Sequence, residues 1–337
     1  MGASTIQTVN EMSVVVQKYG GSSVADPSRI KAVADRVRDT RASGYDIAVV
    51  VSAMGETTDR LASLASEITS TPTPREMDML LTAGERIAMA LLAMALHDRG
   101  IEAVSYTGSQ AGVLTDASHG EARITEITGE RVKESISAGK VVIVAGFQGV
   151  DPESREITTL GRGGSDTTAV ALAATLGAEV CEILTDVDGV LTADPRVVPD
   201  AHRLDSVSYE DMLILALSGA AVLMPHSVDY ARVKGVAVHV RSSFTHEPGT
   251  WLVEDAPNRD LVGMAHRAES ETGVITVVGD AASQSIVMAE SALRVSGISA
   301  TIADSGDHFA RIEVPVERIE DAVRSVHEQF FKVEATS

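Results

Sequence analysis

The sequence contains very little cysteine and few aromatic residues, and each scarcity excludes a class of protein. Of its 337 residues, Cys181 is the one cysteine, so neither a disulfide framework nor a thiolate metal cluster can form within one chain. This cysteine usage is typical of a reducing cytosol, and we expect a cytoplasmic protein. Aromatic residues make up 3% of the chain, too few for the stacking surface of a protein that binds single-stranded nucleic acid.

Positive charge is also scarce. The chain has 28 Lys and Arg residues against 48 Asp and Glu, which gives a net charge of −20. Such a chain repels phosphate backbones and anionic lipid surfaces, so we expect neither nucleic acid nor a membrane among its partners. No apolar run is expected to approach the ~20 residues of a membrane span. Residues 1–13 lack the basic and apolar regions of a signal peptide and are interpreted as a flexible tail.

The sequence lacks the common nucleotide and metal motifs. It has no G-x-x-x-x-G-K-S/T segment, and the stretch from Gly161 is not G-x-G-x-x-G because Asp166 occupies the final place. Neither a P-loop enzyme nor an ordinary Rossmann dehydrogenase is therefore predicted. No H-E-x-x-H segment or Cys/His cluster is present, so no metal site held by the protein alone is predicted.

The sequence does contain a regular alternation of short apolar runs and helical segments. Strands are predicted at 13–17, 46–52, 141–145, 180–184 and 236–240, and helices after Asp26-Pro27 and at 77–95, 168–176 and 209–217. Short Val- and Ile-rich strands between helices are typical of a mostly parallel sheet covered on both faces. Ligands of such sheets bind beyond the carboxyl ends of the strands.

Four turns rich in glycine or hydroxyl residues follow predicted strands, at 18–23, 52–59, 161–166 and 185–189. Glycine lets backbone N–H groups approach an anion, and the dipole of a following helix favours negative charge. Lys18 and Arg162 add a full positive charge to two of these turns. One such turn alone is most often just a tight turn. Four together, two of them with a cation, favour a phosphate-binding site.

The composition changes after residue 253. Residues 254–272 are interpreted as a linker, and 273–333 as a compact βαββαβ module of ferredoxin-like topology. Its predicted strands lie at 274–278, 299–303 and 309–314, with a last one at 330–333. Its helices are predicted at 283–295 and 317–329.

Five segments occur in an order that resembles the bacterial aspartate kinases of the amino-acid kinase fold. They are KYGGSS at 18–23, VSAMGETT at 51–58, GER at 84–86, GRGGSD at 161–166 and TDVDGVLTADPR at 185–196. The resemblance implies an α/β catalytic domain over 14–253, with a mostly parallel sheet between helices. It also implies a single C-terminal ACT-like domain over 273–333, a module that binds amino acids and pairs with another copy.

The resemblance further implies a reaction and residues that perform it. The reaction is ATP- and Mg²⁺-dependent phosphorylation of the β-carboxylate of L-aspartate to 4-phospho-L-aspartate. Lys18 would neutralise the transferring phosphoryl group, and Asp166 would orient that lysine and help to organise Mg²⁺. Arg162 would bind the α-carboxylate of aspartate and Glu85 its α-ammonium. The implied substrate-binding residues are Ser52, Thr58, Glu85, Arg162, Gly163, Gly164 and Ser165. The implied nucleotide-binding residues are Lys18, Tyr19, Gly20, Gly21, Ser22, Thr185, Asp186, Val190, Asp194 and Arg196.

Some of these residues also have a purely structural interpretation. Asp166 could cap the helix that follows it. Glu85 and Arg86 could form an exposed surface pair, and Asp194-Pro195-Arg196 could be only a turn. These alternatives stay open on the sequence alone.

Two features depart from the family pattern. Ala221 stands where these kinases carry a lysine that reaches the nucleotide phosphates, and Arg232 or Lys234 are the candidate substitutes. Loss of the charge-assisted contact between that lysine and the phosphates would reduce the free energy of nucleotide binding by ~1.5–3 kcal/mol. The chain also has room for one ACT-like module where the family usually has two, and the turn at 279–284 lacks a second glycine. We therefore expect weakened feedback control by lysine or threonine.

Two alternatives to an aspartate kinase remain. One is a kinase of the same fold that acts on another small amino acid. The other is a catalytically weak amino-acid-sensing subunit, which the alanine at position 221 favours. In each case we expect a homo-oligomer, formed through the ACT-like domain and the kinase domain, because an isolated βαββαβ sheet exposes strand edges that a partner can pair.

Overall fold

The computed structural model describes residues 13–331. The interpretation of 1–12 as a tail lies outside the described residues, and so does the end of the strand predicted at 330–333.

The chain alternates strands and helices over most of its length. The strands are β1 (Val14–Tyr19), β2 (Asp46–Val51), β3 (Ala103–Tyr106), β4 (Val113–Thr115), β5 (Ile124–Ile127), β6 (Val141–Ala145), β7 (Gln148–Val150), β8 (Ile157–Thr159), β9 (Val180–Thr185), β10 (Ser206–Val207), β11 (Val238–Ser242), β12 (Thr250–Leu252), β13 (Gly263–Glu269), β14 (Thr272–Val278), β15 (Thr301–Ser305) and β16 (Phe309–Pro315). The helices are α1 (Pro27–Ala42), α2 (Thr57–Ile68), α3 (Pro74–Leu81), α4 (Ala83–His97), α5 (Gly108–Ala111), α6 (Glu130–Ser137), α7 (Gly164–Leu176), α8 (Tyr209–Leu217), α9 (Pro225–Lys234), α10 (Ala282–Val295) and α11 (Ile319–Phe331).

The main sheet has eight strands in the order β10-β12-β11-β9-β1-β2-β6-β3. From β11 to β3 every neighbouring pair is parallel, and β12 runs antiparallel to β11. All residues of β2 and β6 are buried, as their continuous apolar sequences require. The predicted mostly parallel sheet is confirmed.

Helices cover both faces of this sheet, because successive residues of each strand point to opposite sides. Ile47 and Val49 pack on the side of α1 and α4, whereas Ala48 and Val50 pack on the side of α6 and α7. A smaller four-stranded sheet, β5-β4-β7-β8, lies beside the main one. The prediction of a sheet between helices is therefore also confirmed.

The helix predicted at 77–95 is two helices, α3 and α4, which meet at Thr82. The break brings Gly84 against Ala53, where a Cβ at 84 would lie 2.7 Å from the Ala53 Cβ. By length and composition alone, the helical stretch Pro74–His97 is long and apolar enough to cross a membrane. The expectation that no apolar run approaches the length of a membrane span is therefore wrong. In the most apolar part of this stretch, 44% of the residues are buried. This is weak evidence for a span, since α4 packs on α1 and on β6 as a core helix does.

The C-terminal residues form a four-stranded antiparallel sheet, β13-β14-β16-β15, with α10 and α11 packed in its core. Two expectations about this region are wrong. The predicted linker contains β13, which pairs along its whole length with β14. Phe330 and Phe331 are the end of α11 and not part of a strand. The edge strand that pairs with β14 is therefore β13, which comes from the segment predicted as a linker. The order of elements from β13 to α11 is ββαββα and not the predicted βαββαβ.

Candidate functional site

A cavity of about 780 Å³ opens at the carboxyl ends of the parallel strands. The turns after β1, β2 and β6 and the N-terminus of α7 meet there, because parallel strands end at the same edge of a sheet. Every substrate-binding residue implied by the sequence lines this cavity, together with Lys18, Gly21 and Asp166: Ser52, Thr58, Glu85, Arg162, Gly163, Gly164 and Ser165.

Lys18 and Asp166 form an ion pair inside the cavity. The Lys18 Nζ lies 2.6 Å from Asp166 Oδ1, and the two side chains are 11% and 10% exposed. Lys18 is near the end of β1, and Asp166 is in the first turn of α7. The N-cap of α7 is Gly163, so the interpretation of Asp166 as a helix cap is wrong. Away from water the attraction between the Lys18 ammonium and the Asp166 carboxylate is stronger than at the surface, so each group holds the other in place.

Glu85 is buried at the start of α4. Its Oε1 accepts a hydrogen bond from the Ala53 N–H at 3.0 Å, while Oε2 is buried with no partner among residues 13–331. Burial raises the pKa of Glu85 to about 7. The interpretation of Glu85 as part of an exposed pair is therefore wrong. A buried carboxylate oxygen without a partner is costly unless a ligand supplies a donor.

Arg162 is the exposed cation at the rim of the same cavity. Within residues 13–331 its guanidinium makes no hydrogen bond or ion pair. A guanidinium with all its donors free is suited to bind a carboxylate in a bidentate manner.

The glycines of the site leave no room for side chains. Gly163 has a φ of 72°, and a Cβ there would lie 2.0 Å from the Met224 Cγ. A Cβ on Gly21 would lie 3.0 Å from the Ala53 carbonyl oxygen, and the Gly55 N–H donates to the Gly21 carbonyl at 3.0 Å. The turns after β1 and β2 are thus packed against each other, and α7 points its N-terminal dipole at the Lys18–Asp166 pair.

The nucleotide-binding residues implied by the sequence lie mostly outside the cavity. Apart from Lys18 and Gly21, none of them lines it: Tyr19, Gly20, Ser22, Thr185, Asp186, Val190, Asp194 and Arg196. The Gly20 N–H donates to the Leu184 carbonyl at 3.2 Å, which brings the turn after β1 next to the end of β9. Tyr19 and Val190 are almost completely buried, so neither side chain reaches a ligand at the surface.

Asp194 and Arg196 form their own ion pair at the surface. The Arg196 Nη2 lies 2.6 Å from Asp194 Oδ2, and the Arg196 side chain is 83% exposed. Hydrogen bonds from Arg196 lower the pKa of Asp194. The guanidinium keeps Asp194 ionised and is itself accessible to a ligand.

Ala221 is exposed in the loop before α9, and the two candidate substitute cations lie at the other end of that helix. From Pro225 to Lys234 the axis rises roughly 14 Å. Arg232 pairs with Asp229 at 2.7 Å, and the Lys234 ammonium lies 5.8 Å from the ring centre of Tyr230. Both cations thus have partners within α9.

The sequence analysis did not identify Asp78 and His119, which also line the cavity. Asp78 is almost fully buried and accepts hydrogen bonds from His119 Nδ1 at 2.6 Å, from the Thr159 hydroxyl at 2.6 Å and from the Gly120 N–H at 3.1 Å. It therefore fixes the loop before β5 to the cavity wall. One signal was available: Asp78 precedes Glu85 by seven residues, or two helical turns, which places both on one side of a helix.

The fold and the site define a class of protein: an α/β protein whose glycine turns and buried Lys18–Asp166 pair line a cavity at the carboxyl ends of a parallel sheet. Residues 13–242 match the sequence model described as the Amino acid kinase family, and the chain belongs to that family. The structure resembles the crystal structure of E. coli aspartokinase III in complex with aspartate and ADP, with a TM-score of 0.84 at 21% identity, covering 95% of this chain and 100% of that one. At this identity the likeness shows the fold.

Closer relatives are found by sequence. The chain is 57% identical over 274 residues to an aspartokinase of Mycolicibacterium smegmatis, covering 80% of this chain and 64% of the relative. It is 50% identical over 293 residues to an aspartokinase of Geobacillus stearothermophilus, covering 86% and 72%. A solved aspartate kinase from Synechocystis is 40% identical with a TM-score of 0.65, covering 93% of this chain and 54% of that one. The chain thus spans less than two thirds of the length of the Mycolicibacterium relative.

Proposed function

We propose that the protein phosphorylates the β-carboxylate of L-aspartate with ATP, giving 4-phospho-L-aspartate and ADP. The observation that carries this proposal is the presence, in one cavity, of an unpaired buried Glu85 oxygen, an unpaired Arg162 guanidinium and the Lys18–Asp166 pair. The first two match an α-amino acid zwitterion and the third matches a phosphoryl group. The relatives named aspartokinase, at 50–57% identity, support the same assignment.

The amino acid is recognised at its two α-substituents. Its ammonium group binds Glu85 Oε2 and supplies the donor that this oxygen lacks. Its α-carboxylate binds Arg162, and Ser52 and Thr58 line the space for the side chain. Aspartate held at both α-groups presents its β-carboxylate to the phosphoryl donor in a fixed direction, which is where most of the rate enhancement of such a transfer originates.

Phosphoryl transfer then depends on positioning and on charge neutralisation. Lys18, held by Asp166, neutralises the oxygens of the γ-phosphoryl group. The N–H groups of the turn after β1 and the N-terminus of α7 contribute further positive potential. The β-carboxylate attacks in line, forming the new O–P bond as the bond to the ADP oxygen breaks. No general base is needed, because this carboxylate is ionised at pH 7.

The nucleotide is proposed to lie between the turn after β1 and the segment from Thr185 to Arg196. Within residues 13–331 no group of three His, Cys, Asp or Glu side chains is placed to hold a metal ion. This fits Mg²⁺, which binds mainly to substrate phosphates and water with only one or two carboxylates from the protein. Asp166 is the buried carboxylate that would hold it, and the ion would neutralise charge on the phosphates.

Feedback control is proposed to be weakened, and the turn after β14 supports this. The backbone N–H groups of Asp280 and Ala281 donate to the carbonyls of Arg259 at 3.1 Å and of Asp260 at 2.8 Å, and the Gly279 N–H donates to the His308 carbonyl at 2.9 Å. These amides are therefore already occupied and do not face a ligand. We expect unchanged activity with millimolar lysine plus threonine; strong inhibition would contradict this part of the proposal.

The partner is proposed to be a second copy of the chain. All five residues of β15 are exposed, so this edge of the C-terminal sheet is open for pairing. Ile302 on β15 and Val287 and Val295 on α10 are exposed apolar side chains. On the kinase domain, Ile87 and Met94 of α4 are exposed in the same way. A mass above that of one chain in light scattering would support the proposal, and a monomer at micromolar concentration would contradict it.

We further propose a cytoplasmic location, in keeping with the free, buried thiol of Cys181.

A substrate panel tests the proposed reaction. ADP release would be measured with Mg²⁺-ATP and aspartate, glutamate, succinate or N-acetylaspartate. We expect activity with aspartate alone, because succinate lacks the ammonium that Glu85 binds and the N-acetyl group removes its charge. Preference for another acid would instead support a kinase of different specificity. Nucleotide binding without turnover of any acid would support the sensing subunit, the alternative that Ala221 favours.

A further inference from the structure

The segment between β9 and β10 carries Asp194 and Arg196 but has little regular structure of its own. Its backbone makes one isolated bridge, between Leu191 and Arg203, and short-range turn bonds such as those from the Val197 and Val198 N–H groups to the Asp194 carbonyl. A segment without a helix or sheet ladder of its own depends on its neighbours for its position. One of these neighbours is the C-terminal domain, formed by β13 to α11.

The most buried contact between the two is a hydrogen bond between Thr192 and His327 of α11. The Thr192 Oγ1 lies 2.9 Å from His327 Nε2, and both residues are 4% exposed. The same hydroxyl oxygen accepts the His202 N–H at 3.0 Å. A hydroxyl both donates and accepts, so it can bond to a neutral imidazole in either tautomer. Burial lowers the pKa of His327, which keeps the ring neutral at pH 7.

Other contacts join the same two elements. Arg324 Nη1 donates to the Val197 carbonyl at 3.3 Å, and His202 Nε2 lies 3.1 Å from the Phe331 carbonyl oxygen. Ala193, Val197 and Val198 belong to the hydrophobic core of the C-terminal domain. The segment is therefore built into the core of that domain.

Strand β13 fixes the segment from the other side. The Met264 N–H donates to the Thr192 carbonyl at 2.8 Å, and a Cβ on Gly263 would lie 3.1 Å from that carbonyl oxygen. Thr192 is thus held at its backbone by β13 and at its side chain by α11. It precedes Asp194 by two residues, so a shift of Thr192 moves the ion pair that is accessible to the nucleotide.

We propose that His327 is a positioning residue of the nucleotide site, acting through Thr192 to hold Asp194 and Arg196 in place. This inference rests on the proposed function, because that function places the nucleotide against the segment from Thr185 to Arg196. It gives the C-terminal domain a part in substrate binding that does not depend on any effector. The aspartate pocket lies at the other turns and shares no residue with this contact.

The test compares nucleotide and aspartate parameters in the full-length chain. His327→Phe keeps the ring and its packing on Phe331 but loses the hydrogen bond. Thr192→Val removes the hydroxyl from the same hydrogen bond, with little change in the shape of the side chain. His327→Gln retains an amide that can bond to Thr192. Gln329→Ala, on an exposed position of α11, is the matched control. Binding of Mg²⁺-ADP is measured by calorimetry, and KM for ATP and for aspartate by turnover.

We expect His327→Phe and Thr192→Val each to weaken ADP binding and raise KM for ATP about five- to twentyfold, the effect of losing one buried hydrogen bond. The double variant should lose little more than either single one, since both remove the same contact. KM for aspartate should stay unchanged, and His327→Gln should recover most of the affinity.

Two results would overturn the inference: ADP affinity unchanged in a folded His327→Phe or Thr192→Val protein, or equal losses for ATP and aspartate, which would indicate general destabilisation. If His327→Phe does not fold, Thr192→Val decides alone. The ADP measurement needs no turnover. A wild-type protein that binds ADP but phosphorylates no aspartate would thus contradict the proposed function while leaving this test valid.

Discussion

The ammonium nitrogen of Lys18 lies 2.6 Å from a carboxylate oxygen of Asp166, and about nine tenths of each side chain is buried. The pair links the end of β1 to the first turn of α7, the two elements that form the floor of the cavity. Neither group can move without leaving the other charge buried and unpaired. The lysine is thus held where a phosphoryl group meets the glycine turn.

Asp166→Asn should lower both stability and activity. The asparagine keeps the size of the side chain but leaves the Lys18 charge without its counter-ion. Breaking a buried pair in this way costs about 3–5 kcal/mol. We expect a lower melting temperature and kcat reduced by at least about a hundredfold. Asp307→Asn, an exposed aspartate between β15 and β16, serves as the control. Full activity of Asp166→Asn would contradict a role for the pair.

Glu85→Gln should impair aspartate binding and leave nucleotide binding unchanged. The glutamine oxygen can still accept the Ala53 N–H, so the fold is retained, but the ion pair with the substrate ammonium is lost. KM for aspartate should rise about ten- to a hundredfold. Isothermal titration with aspartate and, separately, with ADP measures the two dissociation constants, of which we expect only that for aspartate to rise. A rise in both dissociation constants would argue against the assigned role.

The aspartate affinity of the wild type should depend on pH near neutrality. Burial raises the pKa of Glu85 to about 7, and only the ionised form binds an ammonium group. Apparent affinity should therefore fall about tenfold for each pH unit below about 7 and level off above it. The same shift predicts that the Glu85 contribution to folding stability falls as pH rises from about 4.5 to 7, because the folded state then binds a proton that the unfolded state has lost. A flat affinity profile in wild type, or the same slope in Glu85→Gln, would contradict this.

Gly163→Ala should disrupt the site, whereas Gly177→Ala should only destabilise the protein. Both glycines flank α7 with positive φ, at 72° and 59°. A Cβ at 163 would meet Met224 at 2.0 Å, but nothing lies within 4 Å of one at 177. The backbone penalty of about 1–2 kcal/mol applies to both. Activity measured below the melting temperatures should therefore be lost in the first variant and kept in the second. Equal activities would show that the close approach to Met224 is unimportant.

Ala221→Lys should strengthen nucleotide binding if the loop before α9 faces the phosphates. One added charge-assisted contact corresponds to about a ten- to hundredfold lower dissociation constant for ADP. Ala138→Lys, an exposed alanine remote from the cavity, controls for the change in net charge. If both variants bind ADP like the wild type, position 221 is not near the nucleotide.

The sequence predicted the elements whose burial is uniform better than those whose boundaries depend on tertiary contacts. Strand β6 has the predicted bounds because all five residues are buried between helices. Helix α8 begins at Tyr209, as predicted, because Ser208 caps it by accepting the Asp211 N–H. The break at Thr82 brings Gly84 against Ala53, a contact distant in sequence that the helical spacing of apolar residues does not reveal. Strand β13 was assigned to a linker because its only strand partner is β14, and a pairing register is not visible in composition.

The candidate site was predictable where its residues belong to turns after strands. Lys18 and Ser52 line the cavity because β1 and β2 end at the same edge of the main sheet. Arg162 follows β8 of the smaller sheet and lines the cavity from the glycine turn before α7. Asp78 and His119 were missed because their proximity depends on the loop before β5 folding back onto α3. The support of Thr192 by His327 was also invisible, since 135 residues separate the two.

The most direct test of the proposed kinase is formation of an acyl phosphate that hydroxylamine traps as a hydroxamate. The purified protein would be incubated with Mg²⁺-ATP and hydroxylamine, with and without L-aspartate, beside Lys18→Ala and the control Lys133→Ala at an exposed position of α6. We predict aspartate-dependent hydroxamate from the wild type and from Lys133→Ala, and none above background from Lys18→Ala. Absence of hydroxamate from a folded wild-type protein, or undiminished formation by Lys18→Ala, would contradict the proposed function.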